Sequence, residues 1–331
     1  MKASSIMRWT GKALLWLVVA LLVFAVVGAV YQAVATERAE RAYPSPGEMV
    51  DVGGYSLHIN CVGGGGPTVV LDAGTGETSA DWVLVQREVS RSTRVCAYDR
   101  AGMGWSEIGP EPRDARRISG ELHAVLEGAG IDGPFVLAGH SFGGLYAQTY
   151  AARYPKEVAG VALIESSSPE QFGYRRAARD SYQPQQQAFA VSSVLARIGV
   201  VRLVYYFFPA PPELPPQQRA QIDALSPSTR QVSTTALELR ATPQSVTQTR
   251  GLGSLGDKPL AVISAGTQEP EWLGLQKDLA TLSSDSTHRV VEGATHTSVL
   301  HDRDDARATS SAIVGVVDAV RNDRSLARQK P

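Results

Sequence analysis

Phe135-Val136-Leu137-Ala138-Gly139-His140-Ser141-Phe142-Gly143 is the stretch on which the reading of this chain turns. Four consecutive apolar residues read as a short buried strand. Gly-x-Ser-x-Gly follows at once, and Phe142 to Arg153 then has a helical pattern. A serine on such a strand-to-helix turn is held out at the strand's carboxyl end, and glycines two positions to either side leave room for the bend. The helix opening behind it aims amides at the same spot, where developing negative charge would be held. A bare Gly-x-Ser-x-Gly is common by chance, but between a strand and a helix it nominates Ser141 as a nucleophile.

Working outward, short apolar runs recur at Tyr55–Cys61, Thr68–Leu71, Arg94–Tyr98, Val158–Ile164, Leu260–Ser264 and His288–Val291. Helical patterns separate several of them, at Ala80–Val89, Ile118–Leu126 and Phe142–Arg153, and a last one closes the chain at Asp304–Val320. This alternation predicts an α/β domain over residues 50–320 with a mostly parallel sheet flanked by helices. The first two runs have no helix between them and are expected to pair as an antiparallel edge. Residues 166–258 break the rhythm: a Gln-rich stretch, an apolar run from Val191 to Phe208 and a proline cluster from Pro209 to Pro216. So long a structureless loop is improbable in a compact domain, so this interval is read as an inserted helical cap.

Six histidines compete to be the base. His58, His123, His140 and His288 lie in or beside elements where a structural role is favoured. His296 lies just past the last strand in Gly293-Ala294-Thr295-His296-Thr297, which gives the chain order nucleophile, acid, base, and is the choice. His301 is the runner-up. Two glutamates compete as the acid. Glu165 directly ends the strand Val161–Ile164, where its position is fixed, whereas Glu269 precedes Pro270 in an expected loop. Glu165 is preferred, with Glu269 as the alternative.

With Lys+Arg 32 against Asp+Glu 33, the net charge of -1 provides no field to favour nucleic acid. No spacing suggests a metal site, and no metal or cofactor is expected. Residues 1–12 carry Lys2, Arg8 and Lys12, and residues 13–35 are uncharged and rich in Leu and Val, close to the ~20 apolar residues that cross a bilayer. The expectation is a single-pass cell-membrane anchor with the positive flank cytoplasmic and the catalytic domain extracytoplasmic. Cleavage after Ala33-Val34-Ala35, followed by secretion, is the alternative. Residues 36–49 are read as a linker and 321–331 as a tail. Cys61 and Cys96 both lie in strand-like runs and are read as small buried hydrophobes, with a disulfide as the alternative.

From about Val50 to Val320 the chain resembles the α/β-hydrolase fold family, in particular its membrane-anchored or exported bacterial members with a serine nucleophile. The resemblance is carried by Leu71-Asp72-Ala73-Gly74-Thr75-Gly76 with Trp82, by Arg94–Ser106, by the turn at Ser141, by Trp272–Ser283 and by Thr295-His296. It implies an eight-stranded sheet, with an oxyanion hole formed by the amides of Phe142 and Thr75. The chain has Ala73-Gly74 where His-Gly is commoner. Family members take the acid from the sixth or the seventh strand, which leaves both Glu165 and Glu269 open. Asp99 matches a structural turn.

The expected activity is hydrolysis of a small-molecule carboxylic ester through an acyl-enzyme, with Val191–Phe208 walling a pocket for an apolar acyl or alcohol group. The alternatives are a cofactor-free haloperoxidase, a C–C hydrolase, an aminopeptidase holding its amine on cap carboxylates (Glu170, Asp180, Glu213, Asp223), and a non-catalytic ligand-binding member of the fold.

Overall fold

Short β-rich runs alternating with amphipathic helices must bury both faces of a sheet. In a computed structural model, which describes residues 2–172 and 176–328, they do so around one eight-stranded sheet. The strands are β1 (Glu48–Asp51), β2 (Ser56–Val62), β3 (Val69–Asp72), β4 (Val95–Tyr98), β5 (Phe135–His140), β6 (Val158–Ile164), β7 (Leu260–Ala265) and β8 (Ser286–Val291). Their order is β1-β2-β4-β3-β5-β6-β7-β8. Every pairing from β4 through β8 is parallel, and those of β1 with β2 and β2 with β4 are antiparallel. The helices are α1 (Lys2–Ala42), α2 (Val83–Val89), α3 (Ala115–Gly128), α4 (Phe142–Arg153), α5 (Arg176–Ala196), α6 (Val200–Phe207), α7 (Pro216–Leu225), α8 (Thr229–Arg240), α9 (Thr242–Thr249), α10 (Pro270–Leu279), α11 (Ser298–His301) and α12 (Arg303–Asn322).

Side chains alternate across a strand, so each central strand feeds two cores. Val69, Leu71, Val136 and Ala138 pack on one face with Trp82, Val85 and Val89 near α2 and with Ile313, Val316 and Val317 of α12. Val70, Leu137, Val161 and Leu163 pack on the other, with Leu122, Val125 and Leu126 of α3 and Ala147 and Tyr150 of α4.

Three expectations are corrected. The runs beginning at Tyr55 and Thr68 do not pair with each other, because β4 lies between them. The antiparallel edge is instead β1 with β2, joined through the left-handed Gly53-Gly54. β1 has only four residues, too few for its alternation to stand out. Second, Cys61 and Cys96 are not free: they face each other across β2 and β4, Cα atoms 4.0 Å apart, and form a disulfide. Third, residues 36–42 are not linker but the last two turns of α1.

α1 docks on the cap. One face of α1, at Gly28, Gln32, Thr36 and Glu40, recurs every four residues. Any Cβ at Gly28 would collide with the Ile198 carbonyl oxygen, so glycine lets the backbones touch. Gln32 donates to the Pro227 carbonyl at 2.9 Å, Arg202 donates to Gln32 Oε1 at 3.0 Å and to Thr36 Oγ1 at 3.2 Å, and Arg230 lies 3.5 Å from Glu40. The cap itself, α5 to α9, fills the interval between β6 and β7.

Candidate active site

The parallel register places the ends of β5 and β6 side by side, His140 against Ile164, and Ser141 and Glu165 are the next residue on each. Ser141 takes φ 52° and Glu165 φ 46°, a region costly for residues with a Cβ. Both are pinned there: the Ser141 amide donates to Ile164 O at 3.1 Å, the Ser167 amide to Ser141 O at 2.9 Å, and the Glu165 amide to Ile263 O at 2.8 Å. Glycine is required beneath the turn, since a Cβ at Gly139 would strike Gly143 and one at Gly143 would strike the Asp72 carbonyl.

The loop after β8 brings His296 over this pair. His296 Nε2 lies 3.1 Å from Ser141 Oγ, and Nδ1 lies 3.0 Å from Glu165 Oε2. The carboxylate beside Nδ1 fixes the proton on that nitrogen, leaving Nε2 to accept from the Ser141 hydroxyl. Glu165 is fully buried, while the His296 side chain keeps 38% exposure and is open to a ligand. Three N–H groups converge on the buried carboxylate: the Ala265 amide at 2.6 Å, Gln268 at 2.8 Å and Trp272 Nε1 at 3.0 Å. They satisfy a charge that burial alone would penalise. Glu269, the alternative acid, is exposed at the start of α10.

Thr75 lies in the turn after β3, where Gly74 and Glu77 close on each other. Gly143 packs against the Asp72 and Ala73 carbonyls, which sets the start of α4 against the segment leading into this turn. The turn's own carbonyls are taken: Arg100 donates to Ala73 O at 2.6 Å and Gly74 O at 2.8 Å, and Gln231 of α8 donates to Gly76 O at 2.9 Å. Arg100 is itself buried between Asp72 and Glu238 of α8, tying the turn to the cap.

Residues 69–310 match the sequence model of the Alpha/beta hydrolase family. The chain belongs to this family. A Bacillus subtilis relative, the uncharacterized protein YbdG, is 28% identical over 38% of this chain and 39% of its own. An AB hydrolase superfamily protein of Gibberella zeae is 33% identical over 30% of this chain and 33% of its own. The chain thus spans well under half the length of these relatives. Among solved structures it is similar to the Cif epoxide hydrolase of Acinetobacter nosocomialis (TM-score 0.69, 14% identity, 87% of this chain and 96% of that one). It is also similar to the enol-lactonase of Burkholderia xenovorans LB400 (TM-score 0.56, 20% identity, 81% of this chain and 99% of that one). At these identities the structural likeness concerns the fold.

In this alpha/beta hydrolase the other histidines are engaged elsewhere. His301, the runner-up base, is buried with Nε2 3.1 Å from Asp81, and His58 Nδ1 lies 2.8 Å from Asp99. His140, read as structural, has a specific place: Nδ1 meets Glu77 at 2.8 Å and Nε2 donates to the His296 carbonyl at 2.9 Å. Burial alone would push His140 down, but the Glu77 carboxylate outweighs it and raises its pKa. Burial would push Glu77 up, but His140, then the nearby His301 and the Gly74 amide, hold it at about 2. Gln268 and Trp272 were not singled out by sequence as partners of the acid, since no motif marks a donor that reaches back from a following loop and helix.

The apolar cap run is largely open to solvent at its end. Tyr206, Phe207 and Phe208 are 79%, 70% and 77% exposed, and no residue of α6 is buried. Of the cap carboxylates, Glu170 pairs with Arg250, Asp223 accepts from the Ala210 amide and Glu213 is exposed. The Asp180 side chain lies outside the described residues.

Proposed function

We propose that the chain is a serine hydrolase that cleaves carboxylic esters through an acyl-enzyme. The observation that carries the reading is the continuous line from Ser141 Oγ through the His296 ring to the buried Glu165 carboxylate, at 3.1 and 3.0 Å. His296 Nε2 takes the hydroxyl proton as Ser141 Oγ attacks the ester carbonyl, and Glu165 holds the ring and stabilises its cation. The amides of Thr75 and Phe142 hold the oxyanion, each such donor typically worth ~10²–10³ in rate. The imidazolium returns its proton to the departing alcohol. A water, deprotonated by His296, then attacks the acyl-Ser141 carbonyl, and the proton passes back to Ser141 as the acid leaves.

An apolar acyl or alcohol part is the favoured substrate, drawn from the membrane beside the cap. For location we propose a cell-membrane protein crossing once through α1, with its catalytic domain extracytoplasmic. Lys2, Arg8 and Lys12 before the apolar segment support that orientation, and the Cys61–Cys96 disulfide suits an oxidising compartment. The test is labelling by a fluorophosphonate probe together with p-nitrophenyl butyrate hydrolysis. Both are expected in the wild type and both are lost in Ser141→Ala. A folded Ser141→Ala protein that still hydrolyses the ester would sink the assignment.

A further inference from the structure

The cap carries an apolar surface that its own fold does not cover. α5 and α6 meet at a corner, with 107° between Gln183–Ala196 and Val200–Phe207. Val191, Val194, Leu203, Val204, Tyr206 and Phe207 are all exposed, with Phe208 beyond them. Soluble surfaces rarely leave so many large apolar side chains together, and such a patch marks a protein or membrane contact. Between Val191 and Phe208 the only charges are Arg197 and Arg202. The Arg202 guanidinium is occupied by neutral oxygens of Gln32, Thr36 and Ala224.

What covers the patch is set by where the corner touches α1. Ile198 and Gly199, at the bend, lie against Gly28 and Tyr31. Gly28 sits inside the apolar segment, whose nearest charges are Lys12 before it and Glu37 after it. If the membrane ended below Gly28, only residues 13–27 would remain to cross it, about 22 Å of helix at 1.5 Å per residue against a hydrocarbon core of about 30 Å. The hydrocarbon layer must therefore extend past Gly28, and the corner packed on Gly28 lies within it.

We propose that the α5–α6 corner is immersed in the extracytoplasmic leaflet of the membrane that α1 crosses, its exposed apolar side chains contacting lipid acyl chains. The inference rests on the reading of α1 as a membrane-spanning helix. Immersion buries the patch without a further protein and lets Arg197 snorkel from the bend toward the interface. It also carries the surface toward the site: α5 bonds α8 through Gln186 and the Leu239 carbonyl, and α8 holds the turn bearing Thr75 through Gln231 and Gly76. An ester dissolved in the leaflet thus meets the cap before it meets water.

The test uses the full chain in native membranes, with the two cysteines left in their disulfide. Phe207→Cys and Leu203→Cys are compared with Ser311→Cys, which replaces an exposed residue of α12 remote from the patch. A membrane-impermeant maleimide is expected to label Ser311→Cys readily and the two patch variants about tenfold or more slowly, because the reagent cannot enter hydrocarbon. Detergent should abolish the difference. Equal labelling of all three variants in carbonate-resistant membranes overturns the immersion and leaves the anchor standing. Protection that survives detergent points to a second copy of the chain and overturns it too. Release of the protein by carbonate defeats the spanning helix first, and the immersion with it.

Discussion

Ser141 and Glu165 are two of the three non-glycine residues with positive φ among those described, and both sit one residue past the end of a parallel strand. Such a conformation costs roughly 1–3 kcal/mol and persists only where the surroundings impose it, so its appearance at two neighbouring strand ends marks the candidate site more sharply than either side chain alone. Glu165→Gln keeps the shape but removes the anion that orients and stabilises the His296 ring. The expected loss in kcat on p-nitrophenyl butyrate is about 10²–10⁴-fold, while Glu269→Gln, at an exposed helix start, should change kcat less than about twofold. The reverse pattern would transfer the acid to Glu269.

At the scale of elements, the site is assembled by bridges between loops that are far apart in sequence. His140 joins the Glu77 turn after β3 to the His296 loop after β8, and Arg100 joins the same turn to α8 of the cap. The Cys61–Cys96 bridge fastens β2 to β4 and closes a 35-residue separation, worth about 2–4 kcal/mol through the unfolded chain. The His140–Glu77 bridge depends on pH, with a sign that follows from its shifts. Glu77 is lowered from 4.5 to about 2, so its contribution is full above about pH 4.5 and fades only as the pH falls through about 2. His140 is raised above 6.5, so its contribution is full below 6.5 and is lost as the pH rises through its folded value. Glu77→Gln should therefore lower Tm most between about pH 4.5 and 6.5, with the gap to wild type narrowing toward pH 9. Thermal melts across that range check it, and a gap independent of pH would mean that the two groups are not an ion pair.

Across the whole molecule, what the sequence discloses is what lies close together along it. The Ser141 turn, the strand ending at Glu165 and the loop holding His296 each announce themselves within about ten residues, because strand, turn and helix periods are local signals. The docking of α1 is illegible for the opposite reason. Gln32 meets Pro227 across a separation of 195 residues, and Gly28 reads as one more small residue in an apolar run until Ile198 is found against it. The order of β3 and β4 is hidden in the same way, since nothing in Tyr55–Cys61 says that its neighbour is Val95–Tyr98 rather than the next run along. That docking bears on whether the N-terminal segment is cut. Cleavage after Ala35 would remove Gly28, Tyr31 and Gln32, expose the backbone of Ile198 and Gly199, and leave Arg202 without the Gln32 oxygen. These contacts hold the cap against the helix, so the mature chain is expected to keep α1 intact. After alkaline carbonate treatment the full-length protein should remain in the membrane pellet, with Edman or mass-spectrometric sequencing giving an N-terminus ahead of Ala13. Recovery of a soluble species beginning at Thr36 would show instead that the segment is a cleaved signal and that the cap holds its fold without it.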